Sequence, residues 1–289
     1  MKSKLEAGEF VLLAEMEPPK GVDVSEMVTN VTRIKGLVDG CVVPEMNSAV
    51  MRMSSLGGAV LLQGIGMPAI MQGNCRDRNR LALQADLLAA YACGVRAVMA
   101  VSGDDPRFGD HPQAKPVNDL QLMDLLQAIT RLQQGRDMAG IELKGVPSLK
   151  IGSTVNPGIK QDLIPREVEE FEAKMEAGAT YFQTPAIFEL DSVAPFLEAI
   201  APHRFKLIPS VLLLKSLGMA RYISRNIEHI HIPDALVRRI QKAPDKEREC
   251  VKIAAETVTM LKNAGFGGVV ITTMGWERKI PEIVEAMRG

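Results

Sequence analysis

Two carboxylates, Glu15 and Glu17, stand two residues apart at the end of an apolar run that begins at Val11. Residues two apart in a β-strand face the same side, so we expect both side chains to project together, roughly 7 Å apart. Two nearby carboxylates beside an apolar wall resist simultaneous ionisation, which raises the pKa of at least one of them. The pair is therefore a candidate general acid near neutral pH, although a solvated strand end would also explain it.

Other polar residues follow or end apolar runs further along the chain. Gly103 and Asp104 come directly after such a run, and Gln183 lies near the end of another. Glycine lets a backbone approach a ligand closely, and an amide can both donate and accept hydrogen bonds. Taken alone, Gly-Asp-Asp-Pro is also a good turn, and Gln183 is also an ordinary polar residue at a strand end.

Short apolar runs rich in β-formers alternate with longer amphipathic stretches throughout the chain, a pattern typical of parallel strands joined by crossover helices. Apolar residues recur every three or four positions in the longer stretches, which predicts helices over Arg78–Ala92, Asp119–Gln133, Arg166–Ala177 and Lys246–Asn263. Gly94, Gly178 and Gly265 each follow such a stretch, as glycines at helix ends do. The predicted strands are Val11–Met16, Gly40–Pro44, Ala69–Gln72, Ala97–Ser102, Leu149–Thr154, Tyr181–Thr184, Lys206–Leu212 and Val269–Thr273.

Eight strands in this alternation predict an α/β fold, a (β/α)8 TIM barrel. The length of 289 residues fits one barrel, since barrels commonly have about 250 residues, although two ordinary domains would also fit. No linker or change of composition interrupts the chain, so we expect a single catalytic domain over residues 1–289. A barrel's active site lies at the carboxyl ends of its strands, so Glu15, Asp104 and Gln183 should converge there. The stretch Asp104–Asn118, rich in Pro, Gly and Asp, is predicted to be a long functional loop.

Three segments resemble a known family. Glu15-Met16-Glu17-Pro18-Pro19 resembles the E-F-F-P-P signature at the end of the first strand of methylenetetrahydrofolate reductases. Val101–Pro106 resembles the family's R-G-D-x-P segment. Lys174–Thr184 resembles its K-x-D-A-G-A helix end and the T-Q-F strand that follows. The segments occur in the family's order over nearly the whole chain, so the sequence is similar to a divergent member of this family.

The resemblance implies reduction of 5,10-methylenetetrahydrofolate to 5-methyltetrahydrofolate, or the reverse, by hydride transfer through FAD. Electrons would come from NAD(P)H or from a partner subunit. Glu15 falls on the family's catalytic glutamate, the general acid that helps to open the methylene bridge to an iminium. Asp104 would lie near the flavin and the pterin, Gln183 would contact the pterin, and Lys174 would lie toward the flavin.

The resemblance also implies further flavin-site residues, although the motifs that contain them are less specific. Asn47, Gln72, Ser102, Gly103 and Thr154 occupy positions near the flavin in the family. Ser102 stands where the family has an arginine, and the loop after Thr154 lacks the family's tyrosine.

Three residues are candidates for binding the folate substrate. Glu17 stands where the family usually has an aromatic residue. Thr272–Arg278 loosely resembles the family's Y-T-L-N-R segment, so Trp276 and Arg278 are also candidates, with capping of the barrel as the alternative.

Three alternative functions remain open at this stage. The barrel could bind folate and use another hydride carrier or none. It could be a pterin-binding methyltransferase that passes a methyl group to a corrinoid protein. It could also be a flavin-poor, non-catalytic subunit of a larger electron-transfer complex, because the family includes members that work with partners. In each of these cases we expect a homo- or hetero-oligomer.

Composition excludes several other classes of function. The formal net charge is -1, and the absence of a long basic run argues against binding nucleic acid or an anionic membrane. Glu15 and Glu17 interrupt the first apolar stretch, which a signal peptide would not tolerate, and no run reaches the roughly 20 apolar residues of a membrane span. We therefore expect a cytoplasmic protein.

Metal and nucleotide motifs are absent from the sequence. The cysteines, Cys41, Cys75, Cys93 and Cys250, lack C-x-x-C spacing, so we expect them to be reduced and mostly structural. The histidines form no H-E-x-x-H motif, so no metal site is predicted, and we interpret His111, His203, His229 and His231 as surface or packing residues. Gly265-Phe266-Gly267-Gly268 precedes a strand instead of opening a helix, which predicts a turn instead of a phosphate-binding loop.

Overall fold

Parallel strands close into an eight-stranded barrel in the part of the chain that this computed structural model describes, residues 2–288. Each strand pairs with its neighbour in sequence, and the last pairs with the first, where Leu13 lies opposite Val270. This confirms the predicted (β/α)8 TIM barrel. The strands are β1 (Val11–Glu15), β2 (Gly40–Val43), β3 (Ala69–Asn74), β4 (Ala97–Val101), β5 (Lys150–Thr154), β6 (Tyr181–Ala186), β7 (Leu207–Leu212) and β8 (Gly268–Thr272).

Helices connect the strands, and capping side chains fix where the principal ones begin. The Asn79 side chain accepts from the amides of Leu81 and Ala82, so the fourth helix begins at Arg80, two residues after the predicted start. Asp245 caps the tenth helix in the same way, and that helix has the predicted bounds. The helices are α1 (Lys2–Ala7), α2 (Ser25–Ile34), α3 (Ser55–Gly64), α4 (Arg80–Ala92), α5 (Leu122–Gln133), α6 (Ile164–Glu176), α7 (Ala194–Ala199), α8 (Leu217–Asn226), α9 (Asp234–Lys242), α10 (Lys246–Asn263) and α11 (Ile280–Ala286).

Strand β6 runs two residues further than predicted. Pro185 lies inside it, and the register with β7 shifts between Thr184 and Ala186. Proline has no amide hydrogen to donate to the ladder, so it is tolerated at an irregularity of this kind. The extension carries the backbone of β6 further toward the carboxyl end of the barrel.

Apolar side chains fill the inside of the barrel. One buried cluster consists of strand residues that include Leu13, Ile70, Tyr181, Ile208 and Val270. The Tyr181 hydroxyl donates to the carbonyl oxygen of Val98 at 2.9 Å, and burial raises the pKa of this phenol. A larger buried cluster packs between the strands and the helices. Because the interior of the barrel is filled, a ligand near the barrel axis has room only beyond the strand ends.

The segment between β7 and β8 contains three helices instead of one, namely α8, α9 and α10. The stretch 227–232 between α8 and α9 returns to the carboxyl end of the barrel, where His229 and Ile230 line a cleft. The cysteines are free thiols, as expected; Cys41, Cys75 and Cys250 are buried and Cys93 is exposed. Within residues 2–288, no helix has both the length and the apolar character that crossing a bilayer requires.

Candidate active site

The alternation of strand side chains explains which residues line the mouth of the barrel. Side chains two positions apart on a strand face the same way. The inner core residues Leu13, Tyr181 and Val270 are therefore followed, two positions later, by Glu15, Gln183 and Thr272. In the same way, Ile70 is followed by Gln72 and Ile208 by Ser210. The apolar core thus gives way to a polar floor at the carboxyl ends of the strands.

This floor belongs to a cleft with two lobes. The main lobe has a volume of about 600 Å³, and the side lobe about 470 Å³. Glu15, Asn47, Ser48, Ser210 and Ile230 line both lobes, so the carboxyl of Glu15 stands where they meet. Most of the predicted site residues line the main lobe: Glu15, Asn47, Gln72, Asp104, Thr154, Lys174 and Gln183.

Glu15 is poised to hold a proton near neutral pH. Burial is the largest cause that raises the pKa of its carboxyl to about 7, and the nearby carboxylates of Glu17 and Glu277 contribute to the same rise. Burial disfavours the charged form because the protein groups around the carboxyl solvate it less well than water does. Glu277 follows β8, is 9% exposed, and accepts a hydrogen bond from the amide of Gly275 at 2.9 Å. A carboxyl with this pKa can both donate and accept a proton at physiological pH.

Glu17 lines the side lobe and is paired with a cation. Arg52 Nε lies 2.8 Å from Glu17 Oε1, and Arg52 Nη1 donates to the carbonyl oxygen of Pro18 at 3.3 Å. Burial raises the pKa of Glu17, Arg52 opposes this rise, and Glu277 reinforces it. Glu15 and Glu17 therefore share one acidic environment, but only Glu17 has a guanidinium beside it.

Asp104 lies at the rim of the main lobe, held from two sides. Its Oδ2 accepts a hydrogen bond from the amide of Ser48 at 2.6 Å, and its carbonyl oxygen accepts one from Arg76 Nη1 at 2.9 Å. Gly103 before it has a φ of +85°, and a Cβ there would lie 2.9 Å from Cβ of Arg76. Only glycine allows this left-handed conformation and close approach together, which explains the Gly-Asp order.

Gln183 and Lys174 reach the main lobe from β6 and α6. Gln183 Nε2 donates to Ser210 Oγ at 3.0 Å, and its Oε1 is buried without a partner among the described residues. Lys174 is 6% exposed, and its Nζ donates to the carbonyl oxygen of Thr154 at 3.1 Å. Helical side chains lean toward the helix N-terminus, so a lysine near the end of α6 can reach back to the carboxyl end of β5. The main lobe thus contains one buried cation and an amide with a free acceptor.

A buried network supports the side of the main lobe formed by β2 and β3. Gln72 Oε1 accepts from the amide of Glu45 at 3.1 Å. The Glu45 carboxylate accepts from Arg78 Nη1 at 2.8 Å and from the amide of Ser55 at 2.6 Å. Glu45 is 4% exposed, and a buried carboxylate of this kind is stable only because it is paired. The network fixes the orientation of Gln72 in the cleft.

Four of the predicted site residues line neither lobe of the cleft. Ser102 and Gly103 are exposed at the end of β4 and do not line either lobe. Trp276 and Arg278 also lie outside the linings of both lobes. The Trp276 ring packs against the core between two cations, with Lys215 Nζ 5.4 Å and Arg278 Cζ 5.6 Å from its centroid. Glu277, between these two residues in sequence, acts electrostatically on Glu15 instead.

Several cleft residues were not among the site residues predicted from the sequence. Arg52, Ser210 and Thr272 line the side lobe, and His229 lines the main lobe instead of being only a surface or packing residue. Burial lowers the pKa of His229, which favours its neutral form. Ser210 and Thr272 could have been found by counting two positions beyond each inner core residue. Arg52 and His229 lie in loops, where no periodicity predicts direction. No group of three or more His, Cys, Asp and Glu residues suited to a metal ion occurs within residues 2–288.

Comparison with known proteins shows which family the chain belongs to. The sequence profile described as methylenetetrahydrofolate reductase matches residues 1–288. The chain belongs to the methylenetetrahydrofolate reductase family. Methylenetetrahydrofolate reductase 2 of Schizosaccharomyces pombe is 25% identical over 203 residues, which cover 68% of this chain and 31% of that protein. The match thus spans about a third of the length of the yeast relative.

Solved structures show the same architecture with little sequence similarity. Crystal structures of 2,3-dimethylmalate lyase, a member of the PEP mutase/isocitrate lyase superfamily, superpose with TM-scores of 0.56 and 0.55 in two crystal forms. Both lyase structures are 11% identical to this reductase-family chain. The superposed residues cover 99% of this chain, and they cover 83% and 80% of the two lyase chains. The superposition supports the barrel fold, and sequence identity this low says nothing about the chemistry.

Proposed function

We propose that this chain reduces 5,10-methylenetetrahydrofolate to 5-methyltetrahydrofolate, or catalyses the reverse reaction, with FAD as the hydride carrier. The observation that carries the proposal is the meeting of Glu15, Asp104 and Gln183, from three different strand ends, in the lining of one cleft. Membership of the methylenetetrahydrofolate reductase family supports it. The pKa of about 7 for Glu15 supports an acid role for that residue.

The side chains of the main lobe fit a flavin. Asn47 and Gln72 present amides, which can pair with the alternating donors and acceptors of a flavin ring edge. Lys174 supplies a cation that suits a phosphate or an electron-rich ring, and Thr154 lies beside it. These four residues would hold FAD, with Ser102 and Gly103 close by at the end of β4. When bound, FAD supplies the hydride.

Glu15 would supply the proton. Opening of the one-carbon bridge to an iminium requires protonation of the nitrogen that leaves the bridge carbon. Glu15 would donate this proton from its carboxyl oxygen, which would leave the bridge carbon electron-poor. The reverse reaction returns the proton to Glu15, and a pKa near 7 suits both directions.

Gln183 and Asp104 would orient the pterin. The buried Oε1 of Gln183, which has no partner among the described residues, would accept a pterin N–H after a small rotation of the amide. Asp104 has one oxygen engaged by Ser48, which leaves Oδ1 to accept a further hydrogen bond. Glu17 would act on the substrate from the side lobe, whereas Trp276 and Arg278, which line neither lobe, would contact only a part of the substrate that extends beyond the cleft.

The electron donor is proposed to be NAD(P)H or a partner subunit. The mouth is open to solvent above the main lobe, so either a small donor or a protein partner in a homo- or hetero-oligomer could deliver electrons there. A donor titration under anaerobic conditions separates these two sources, because NAD(P)H alone bleaches the flavin only in the first case.

Two measurements test the proposal. The absorption spectrum of the purified protein should show bound flavin; a colourless protein that cannot be reconstituted with FAD would contradict it and favour a flavin-free methyltransferase barrel. The Glu15→Gln variant should retain flavin and lose FAD-dependent oxidation of 5-methyltetrahydrofolate by at least about a hundredfold, the range of general acid–base catalysis. Glu172→Gln, an exposed glutamate on α6, is the matched control and should keep full activity.

A further inference from the structure

The turn that carries Asn47 has a strained backbone. Met46, Ser48 and Ala49 have φ angles of +53°, +55° and +55°. Residues other than glycine rarely adopt this left-handed region, and they persist there only when the surroundings hold them. Asn47 and Ser48 line both lobes of the cleft, so the strain lies directly at the candidate site.

Two aspartates from the loop after β4 hold this turn. Asp104 Oδ2 accepts from the amide of Ser48 at 2.6 Å. Asp110 Oδ1 accepts from the amide of Met51 at 2.9 Å. Asp110 also pairs with Lys20 of the loop after β1 and with His111 Nδ1 at 2.9 Å. Lys20, His111 and the Met51 amide together hold the pKa of the Asp110 carboxyl well below its usual range, so it remains an anion.

Gly109 completes the contact by close packing. A Cβ at Gly109 would lie 2.0 Å from the carbonyl oxygen of Ala49. No side chain fits at that distance, so the two loops touch backbone to backbone only because residue 109 is glycine. The loops after β1, β2 and β4 are thereby joined at one point outside the cleft.

We propose that Asp110 and Gly109 are positioning residues, which hold the strained turn so that Asn47 and Ser48 present their polar groups to the ligand of the cleft. Neither residue lines either lobe, so they act through the turn and do not touch the ligand. The assignment of that ligand as flavin and folate rests on the proposed function. The positioning itself rests on the backbone angles and on the contacts of Asp110 and Gly109.

Hydrogen exchange of residues 46–53 tests the clamp without any ligand. In Asp110→Ala, the amides of this segment should exchange at least about tenfold faster than in the parent protein, because Met51 loses its acceptor. Asp110→Asn keeps an oxygen for Met51 and should change exchange by less than about threefold. Arg107→Ala, which removes an exposed side chain of the same loop that pairs with Asp105, is the matched control and should leave the segment unchanged.

Ligand binding tests the positioning role. Asp110→Ala should bind FAD about tenfold more weakly, which is the cost of about one lost charge-assisted hydrogen bond, while Asp110→Asn stays near the parent value. Gly109→Ala should weaken FAD binding while the carboxylate is kept, which provides a second variant if Asp110→Ala folds poorly. Faster exchange with unchanged FAD and folate binding would overturn the positioning role.

The two proposals fail in different ways. A protein that never binds FAD would contradict the proposed function, and the exchange experiment would still decide the clamp. Unchanged exchange in both Asp110→Ala and Gly109→Ala would overturn the clamp, whatever the chemistry of the cleft.

Discussion

Replacing Glu15 with glutamine should stabilise the folded chain above pH 7 and leave its stability nearly unchanged below pH 4.5. The folded state raises the pKa of this carboxyl from 4.5 to about 7, chiefly because burial disfavours the charge. Between these two pH values the unfolded chain loses the proton while the folded chain keeps it. Ionisation of Glu15 therefore lowers the free energy of unfolding, and the loss grows as the pH rises from 4.5 to about 7.

The magnitude follows from the two pKa values. Each pH unit between them corresponds to about 1.4 kcal/mol, so the full penalty above pH 7 is about 3 kcal/mol. Glutamine is also polar and also loses water on burial, which reduces the net gain. We expect Glu15→Gln to increase the free energy of unfolding by about 2 kcal/mol at pH 8, with a smooth decline of the gain to zero near pH 4.5.

Urea unfolding at a series of pH values measures this difference. Trp276, the single tryptophan of the chain, provides a fluorescence signal near the site, and far-UV circular dichroism reports on the barrel as a whole. Glu172→Gln controls for loss of a surface carboxylate and should shift the unfolding midpoint little at any pH. If Glu15→Gln were destabilising at pH 8, or if its effect did not depend on pH, the buried, protonated state of Glu15 would be refuted.

Three further predictions concern the other cleft residues. Arg52→Gln removes the cation beside Glu17, which should raise the pKa of Glu17 in an NMR titration of its carboxyl; an unchanged pKa would contradict the ion pair. Gln183→Ala should raise KM for the folate about tenfold or more while flavin absorbance is retained, and steady-state kinetics with an unchanged KM would exclude the pterin contact. Lys174→Met, which keeps the length of the side chain and removes its charge, should weaken FAD binding about tenfold in a fluorescence titration, whereas equal affinity would place the cofactor elsewhere.

The barrel was predictable from sequence because local pattern and global fold agree. Apolar runs of β-formers became strands whose ends differ from prediction by two residues at most, and Gly94, Gly178 and Gly265 end helices with positive φ, as expected. Two of the remaining differences have local causes. Asn79 caps α4 and so delays its start, and Pro185 concealed the last two residues of β6.

The candidate site was predictable only where a side chain projects from a strand end. Glu15, Gln72 and Gln183 lie two positions beyond inner core residues, so strand geometry fixes their direction. Arg52 and His229 lie in loops that reach the cleft through contacts distant in sequence, such as the close approach of Gly158 to the carbonyl of His229. The short 3-10 turn Glu277–Lys279 sets the directions of Trp276 and Arg278, which sequence alone does not define.

The most direct test is a single turnover. Protein loaded with reduced FAD is mixed anaerobically with 5,10-methylenetetrahydrofolate, and flavin oxidation is followed by absorbance between pH 5.5 and 8.5. The parent protein should oxidise its flavin and form 5-methyltetrahydrofolate at a rate that declines as Glu15 ionises near pH 7. Glu15→Gln should bind both ligands and leave the flavin reduced. Equal rates in the parent and in Glu15→Gln, independent of pH, would contradict the proton transfer on which the proposed mechanism depends.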